Sequence, residues 1–329
     1  MSREGKKGGF WKTILIILLA IILAYSVLMY AIPALEEPDL SAVGGSADWM
    51  ARLGGDTPLG SVILPGTHDS ATRSVQLAYF SKCQSLSIKS QLEAGFRFLD
   101  IRLGECDGGL KLMHGFTNCK EAPWPWSGAL KLDKVLEECY SFLDEHPSET
   151  VVFFAKHEHG DMDDDAFLGE LKKYIDRTPE KWFTGEELPL LSEARGKLVL
   201  VRRFAPGAQD AGVYISWEDQ GGYDDPQQSI GGTEPGSLDV MVQDRYCYDA
   251  GEKWTAFMNG LAIDIISKEN VLRMSFLSTK GHAKFGHPYK YAKTLNEKLS
   301  ELEGGRLRGW VIVDFGTPKL AEKIYGQNF

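Results

Sequence analysis

LGSVILPGTHDS, residues 59–70, runs from a short apolar stretch straight into a polar cluster with no helical turn between them. Ser61–Pro65 reads as a strand, and it empties into Pro65-Gly66-Thr67-His68-Asp69-Ser70. The pattern recurs downstream. Further strand candidates are Phe96–Leu103, Leu110–Met113, Thr150–Ala155, Lys197–Phe204, Val240–Asp244, Arg273–Leu277 and Trp310–Phe315. Several are unbroken Val, Ile, Leu and Phe runs, the composition of parallel strands covered on both faces. Amphipathic stretches lie between them, such as Phe167–Ile175 and Leu130–Glu145, where Leu132, Val135, Leu136, Cys139 and Phe142 fall at helical spacing. Strand then helix, repeated, predicts an α/β protein with a parallel sheet. About 280 residues are available, which suits a single (β/α)8 TIM-type barrel, with room for irregularity. An open doubly wound sheet competes, but the three-glycine turn that usually opens one is missing.

Polar residues follow each apolar run. The second contains Asp100 and Arg102, the third ends in His114, the fourth at Lys156 and the fifth in Arg202-Arg203. The sixth ends in Gln243-Asp244-Arg245-Tyr246, and the eighth contains Asp314. In a parallel barrel these C-terminal ends share one rim, so residues distant in sequence converge. Each residue taken singly has a plainer structural reading: a hydrogen-bonded histidine, an Asp100–Arg102 ion pair, a solvated loop at Lys156, a turn cap at Asp314. Their common phase at successive strand ends favours an acid/base site that also binds an anion, because buried polar groups are costly unless used.

Outside the barrel, Thr13–Ile32 reads TILIILLAIILAYSVLMYAI, uncharged and about 30 Å long as a helix. Lys6, Lys7 and Lys12 precede it and Glu36, Glu37 and Asp39 follow. This predicts a single-pass cell-membrane anchor with residues 1–12 cytoplasmic, 13–32 spanning, 33–50 a stalk and 51–329 an extracytoplasmic catalytic barrel. A cleaved signal peptide with secretion is the alternative, using the small-residue exit Ala31-Ile32-Pro33-Ala34. The chain carries 36 Lys and Arg against 46 Asp and Glu, a net charge of −10, with the N-terminal residues positive. So acidic a body disfavours nucleic acid as a partner. Five cysteines show no CxxC spacing, and Cys106 with Cys119 is the one candidate bridge. His157 and His159 near Asp161, Asp163, Asp164 and Asp165 form a candidate divalent-metal pair, weighed against an ordinary solvated acidic loop. Trp124-Pro125-Trp126 reads either as a rim loop that dips into a bilayer interface or as packing against the barrel.

LGSVILPGTHDS is also similar to the first signature of the phosphatidylinositol-specific phospholipase C catalytic (X-type) domain. In family order follow QLEAGFRFLDIRL from Gln91, LMHG from Leu112, FLDEHPSETVVFF from Phe142, GKLVLVRRF from Gly196, VQDRYCYD from Val242 and GWVIVDF from Gly309. Together they span nearly everything after the stalk and look like the bacterial type, a single barrel without the lipid- and calcium-binding modules of animal relatives.

The resemblance implies cleavage of the glycerol–phosphate bond of phosphatidylinositol, or of glycosylated relatives in a facing membrane, to diacylglycerol and inositol 1,2-cyclic phosphate. It implies His68 as general base on the inositol 2-hydroxyl and His114 as general acid on the leaving oxygen. Asp314 would orient the base and Asp69 assist the acid. Arg102 stands where calcium-dependent relatives carry an acidic metal ligand, which implies an enzyme with no metal cofactor. Lys156, Arg203, Asp244 and Tyr246 match positions that grip the inositol ring, although His157-Glu158-His159-Gly160 departs from the family pattern just after Lys156. The partners implied are a phosphatidylinositol-containing membrane and its headgroup, with no obligate protein partner. A metal-dependent glycerophosphodiesterase using His157 and His159 is one competing reading. An inactive inositol- or partner-binding barrel is the other.

Overall fold

The computed structural model describes residues 3–36, 38, 47–205, 211–221, 229–230, 236–263 and 271–329. Its strands, in chain order, are β1 (Leu64–Thr67), β2 (Phe98–Cys106), β3 (Gly109–His114), β4 (Thr117–Asn118), β5 (Val151–His159) and β6 (Trp182–Phe183). Then come β7 (Leu198–Arg202), β8 (Val213–Tyr214), β9 (Ser229–Ile230), β10 (Val240–Gln243), β11 (Leu272–Phe276) and β12 (Trp310–Val313). A parallel array runs β7–β5–β2–β1–β12–β11–β10, and β6 and β8 lie parallel along the other edge of β7. Curling brings β8 towards β10. Among the described residues these two do not pair as strands; the seam carries Leu238 N–H to Tyr214 C=O at 2.8 Å and Ser216 N–H to Ser237 Oγ at 2.8 Å. The result is an irregular TIM-like barrel.

One expected barrel strand is not one. Leu110–Met113 lies in β3, which pairs antiparallel with β2, Leu103 opposite Leu112 and Cys106 opposite Gly109. Only Asp107-Gly108 separates the two strands, too short for a crossover helix. Gly108 at φ 78° supplies the left-handed backbone that this hairpin turn needs. The vacated barrel position falls to the two-residue β8.

The hairpin also corrects the bridge expected between Cys106 and Cys119. Cys119 donates its N–H to Leu112 C=O, level with Leu103, while Cys106 sits three rungs further along β2. Three rungs are roughly 10 Å, beyond disulfide reach. All five cysteines are free thiols.

Alternation along the strands sorts two cores. Phe98, Val152, Phe154, Val199, Val201, Val242, Met274 and Ile312 belong to one. Leu99, Ile101, Val151, Phe153, Leu198 and Leu200 belong to the other, where they meet Val135, Cys139 and Phe142 of helix Leu132–Glu145 and Phe167 of helix Asp164–Ile175. Gly66 is required at its place in β1, since a Cβ there would lie 2.8 Å from the Phe98 ring. At the opposite end, Trp49 stacks on Tyr325 at 4.9 Å and the buried Arg97–Glu149 pair closes at 2.7 Å. Trp49 and Met50 are therefore part of the barrel floor, and of the expected stalk residues 37 and 39–46 lie outside the described residues.

The N-terminal helix Arg3–Ser26 continues through a π-helical turn, Val27–Ala31, into Ile32–Leu35. Gly9–Leu35 is long and apolar enough to cross a membrane.

Candidate active site

The period of two that fills the barrel with apolar side chains continues, in phase, into polar ones at the C-terminal rim. Phe98 is followed on the same face by Asp100 and Arg102, Phe154 by Lys156 and Glu158, Val201 by Arg203 and Val242 by Asp244. Likewise Phe276 is followed by Ser278 and Ile312 by Asp314. His68 follows β1 directly, its N–H bonded to Val313 C=O at 3.0 Å. The polar residues among these line one cavity of about 400 Å³, apart from Asp100, which lies behind Arg102. His114 joins them from the end of the antiparallel β3. Arg202, on the opposite phase from Arg203, turns away and donates to the carbonyls of Ala211 and Phe204.

At the centre, His68 Nδ1 lies 2.8 Å from Asp314 Oδ1. Asp69 Oδ2 stands 3.3 Å from His68 Nε2 and 3.1 Å from His114 Nδ1. The two rings are 6.4 Å apart at 79°. Asp69 reaches this position through a left-handed turn at φ 44°, its N–H held by Asp100 Oδ2 at 3.1 Å. Such a backbone costs on the order of 1–3 kcal/mol and is tolerated best by short polar side chains. Arg102 is the hub: its guanidinium lies 3.2 Å from Asp69, 3.1 Å from Asp100 and 3.4 Å from Glu158.

The electrostatics follow from this packing. Burial opposes protonation of His68, but the carboxylates of Asp314 and Asp69 outweigh it and push the imidazole up to about 9. Burial also raises Asp69 against the pull of Arg102, His114 and His68. The two groups compete for one proton, and we assign it to His68, because Asp314 braces the ring at 2.8 Å while Arg102 stabilises the Asp69 carboxylate at 3.2 Å. Despite burial, Arg102 and His68 hold Asp100 below the usual carboxylate range. Arg102 and Lys156 do the same for Glu158.

A second group surrounds the cavity. Lys156 Nζ meets Glu158 Oε2 at 2.6 Å. Arg203 lies over the Trp217 ring at 3.6 Å and 3.9 Å from Asp244 Oδ2, which also accepts from Trp217 Nε1 at 3.4 Å. Tyr246 Oη donates to Asp219 Oδ1 at 2.9 Å, and burial together with that bond raises the phenol. All nine site residues expected from the sequence therefore gather at one end of the barrel.

Glu158, Asp219 and Trp217 were not foreseen. β5 does not stop at Lys156 as expected but continues to His159, which carries Glu158 inward beside Arg102 and Gly115 N–H, the latter at 2.9 Å. His157 takes the opposite phase, stacking on Phe167 at 4.2 Å with Nδ1 3.3 Å from Asp164. Neither His157 nor His159 joins a group of converging metal-ligand atoms among the described residues.

Two imidazoles, a guanidinium and their carboxylates at the C-terminal rim of a barrel form an arrangement able to exchange protons beside an anionic group. Residues 62–204 match the family model described as phosphatidylinositol-specific phospholipase C, X domain. The chain is 28% identical over 293 residues to 1-phosphatidylinositol phosphodiesterase of Staphylococcus aureus (strain Newman), covering 82% of this chain and 88% of that protein. It is 30% identical over 165 residues to the 1-phosphatidylinositol phosphodiesterase of Listeria monocytogenes, covering 46% and 47% of the two chains. A solved mutant of phosphatidylinositol-specific phospholipase C from Staphylococcus aureus superposes with a TM-score of 0.71 at 25% identity, covering 86% of this chain and 98% of that one. Residues 62–204 thus carry the X domain of phosphatidylinositol-specific phospholipase C, and over most of its length the chain is similar to bacterial enzymes of that kind.

Proposed function

We propose that the protein is a membrane-anchored phospholipase C that converts phosphatidylinositol, or a glycosylated relative, to diacylglycerol and inositol 1,2-cyclic phosphate. The observation that carries this reading is the carboxylate shared by His68 and His114 with Arg102 against it. Because Nδ1 of His68 is committed to Asp314, Nε2 is the basic nitrogen. It takes the proton of the inositol 2-hydroxyl as that oxygen bonds to phosphorus. The bond from phosphorus to the glycerol oxygen breaks. His114, held by Asp69 through Nδ1, gives the leaving oxygen a proton from Nε2. An internal hydroxyl needs no water positioned for attack. Arg102 offsets charge on the non-bridging oxygens. Lys156, Arg203, Asp244 and Tyr246 supply donors, acceptors and a ring face to the inositol, disfavouring headgroups that leave them unmatched. Slow hydrolysis of the cyclic product follows.

Arg102 engages Asp69, Asp100 and Glu158 and sets a fixed cation where a divalent ion would have to sit, which supports a reaction without metal. His157, stacked on Phe167 outside the cavity, weighs against a metal phosphodiesterase. The complete acid/base set weighs against an inactive barrel. Gly9–Leu35 supports an anchor with the basic end cytoplasmic and the barrel outside. Met29, upstream of Ala31 in the turn Val27–Ala31, is buried where that turn packs on Ala78–Ser81, which supports retention over cleavage near Ala31.

Phosphorus NMR of the purified chain tests the chemistry, with phosphatidylinositol and phosphatidylcholine in separate samples. A transient cyclic phosphodiester from the first alone is expected; its absence, with diacylglycerol released, means a different mechanism.

A further inference from the structure

We propose that the enzyme works on its own membrane: the anchor helix is docked beside the catalytic mouth, so the mouth opens onto the outer leaflet of the bilayer that holds the helix. Lipid then enters laterally from that leaflet. This rests on the anchored, lipid-cleaving reading above and replaces the facing membrane expected from the sequence.

The helix does not lead into a free tether. In its last turns Met29 and Pro33 are buried beside the short helical turn Ala78–Ser81. Lys82 Nζ donates to Pro33 C=O at 3.2 Å. His287 joins the two parts: Nε2 lies 2.9 Å from Glu36 Oε1, Nδ1 lies 2.6 Å from Tyr79 C=O, and the ring lies flat on Tyr79 at 3.9 Å. The neighbours of these clamps, Phe80, Ser81, Gly286 and Pro288, line the cavity of His68 and His114. A single layer of chain thus separates the anchor from the mouth.

Depth along the helix gives an independent argument. Tyr25 is 14 residues beyond Trp11, about 21 Å along the axis. With Trp11 at the inner interface, Tyr25 lies below the outer interface and Tyr30 close to it. Tyr25 and Tyr30 share a cleft with Phe116 and Trp124. Those rim aromatics therefore sit at the level of the outer leaflet. Phe116, Trp124, Trp126 and Phe285 are 63%, 58%, 82% and 54% exposed. Exposed aromatic rings at that depth, two of them indoles, fit the boundary between headgroups and acyl chains.

The test uses the full chain reconstituted in phosphatidylcholine vesicles, with phosphatidylinositol placed either in the same vesicles or in separate ones. Cleavage in the same vesicles is expected to exceed that in separate ones by about 100-fold. A loose tether also favours its own membrane, so Glu36→Lys is the deciding variant. It sets a cation against His287 and is expected to lose about tenfold of the same-vesicle rate, while turnover of a soluble short-chain phosphatidylinositol is unchanged. Glu36→Gln repeats the test should the lysine variant lose turnover of the soluble substrate. Release of the chain by alkaline carbonate ends the anchor reading, and no turnover of the short-chain substrate ends the activity reading. A retained, active chain with equal rates on both vesicle types overturns the docking. So does a Glu36 variant that keeps its full same-vesicle rate.

Discussion

His68 and His114 meet through a single carboxylate oxygen, Asp69 Oδ2, but with different nitrogens: Nε2 of His68 at 3.3 Å and Nδ1 of His114 at 3.1 Å. Under the proposed mechanism the difference gives them different work. His68 is braced from behind by Asp314, so its contact with Asp69 occupies the nitrogen that must accept a proton. His114 is braced by Asp69 itself, and its other nitrogen is left for the leaving group. In that mechanism a substrate hydroxyl entering the site would take the place of Asp69 on His68 and leave Asp69 to His114 alone.

That division predicts unequal consequences for the two imidazoles. His68→Ala is expected to lower kcat by about 10²–10⁴ on any phosphoinositol ester, since every such substrate needs its 2-hydroxyl deprotonated. His114→Ala is expected to lose as much on phosphatidylinositol but far less on an aryl phosphoinositol, whose phenolate leaves without protonation. Steady-state rates of both variants on both substrates check this. Equal losses on the aryl ester would show that His114 is not the acid.

The pH profile should follow Asp314. Its carboxylate is the largest of the charges raising His68, and His68 must be neutral to act as a base. Asp314→Asn removes that charge, so burial and Arg102 then pull the imidazole down. The acid limb of log kcat/KM is expected to move to lower pH, while the maximal rate falls by about 10²–10⁴ because the ring loses its orientation. A limb that stays in place would separate Asp314 from the ionisation that controls the rate.

How far the sequence could carry this site depends on strand phase. Arg102, Lys156, Arg203, Asp244 and Asp314 are legible because each extends an apolar strand by its own two-residue period, so one rule finds the barrel and its rim together. His114 was found with the wrong neighbour relation. The Asp107-Gly108 turn marks a hairpin, and the apolar run Leu110–Met113 masked it by resembling a buried parallel strand. Glu158 was missed because a strand end cannot be read from periodicity once the side chains turn polar. Asp219 and Trp217 lie in residues 211–221, which carry no regular element beyond the two residues of β8, too short for any period to register. Tertiary pairing with β7, rather than local propensity, fixes that segment.

Arg102 predicts indifference to chelators. Its guanidinium lies within 3.4 Å of the carboxylates of Asp69, Asp100 and Glu158, and their charge raises it further above its ordinary value against burial. It therefore stays a cation at any working pH. Activity in excess EDTA is expected to equal activity without it. Arg102→Lys keeps the charge but loses the planar fork that engages several oxygens at once, and should cost about 10²–10³ in kcat. Loss of activity in EDTA, restored by calcium, would overturn the metal-free reading.

Finally, His68 ties the fold to pH. Its folded value of about 9 lies above the unfolded value of 6.5, so its contribution to stability is complete below pH 6.5 and disappears as pH rises through 9. The shift corresponds to roughly 3 kcal/mol. Buried Lys253 acts in the opposite sense. Burial pulls it down to about 7, against the opposing charges of Asp244 and Asp314, so the protein gains stability between pH 7 and the ordinary lysine value of 10.5. The two slopes oppose one another, and the pH dependence of the unaltered chain alone would hide both. The informative quantity is the stability of the protein minus that of His68→Gln, from chemical denaturation in detergent at pH 6.5 and at pH 9. Lys253 cancels in that difference. The protein is expected to lose about 3 kcal/mol relative to the variant between those two pH values. Parallel behaviour would mean that His68 is already neutral in the resting enzyme, with the proton on Asp69 instead.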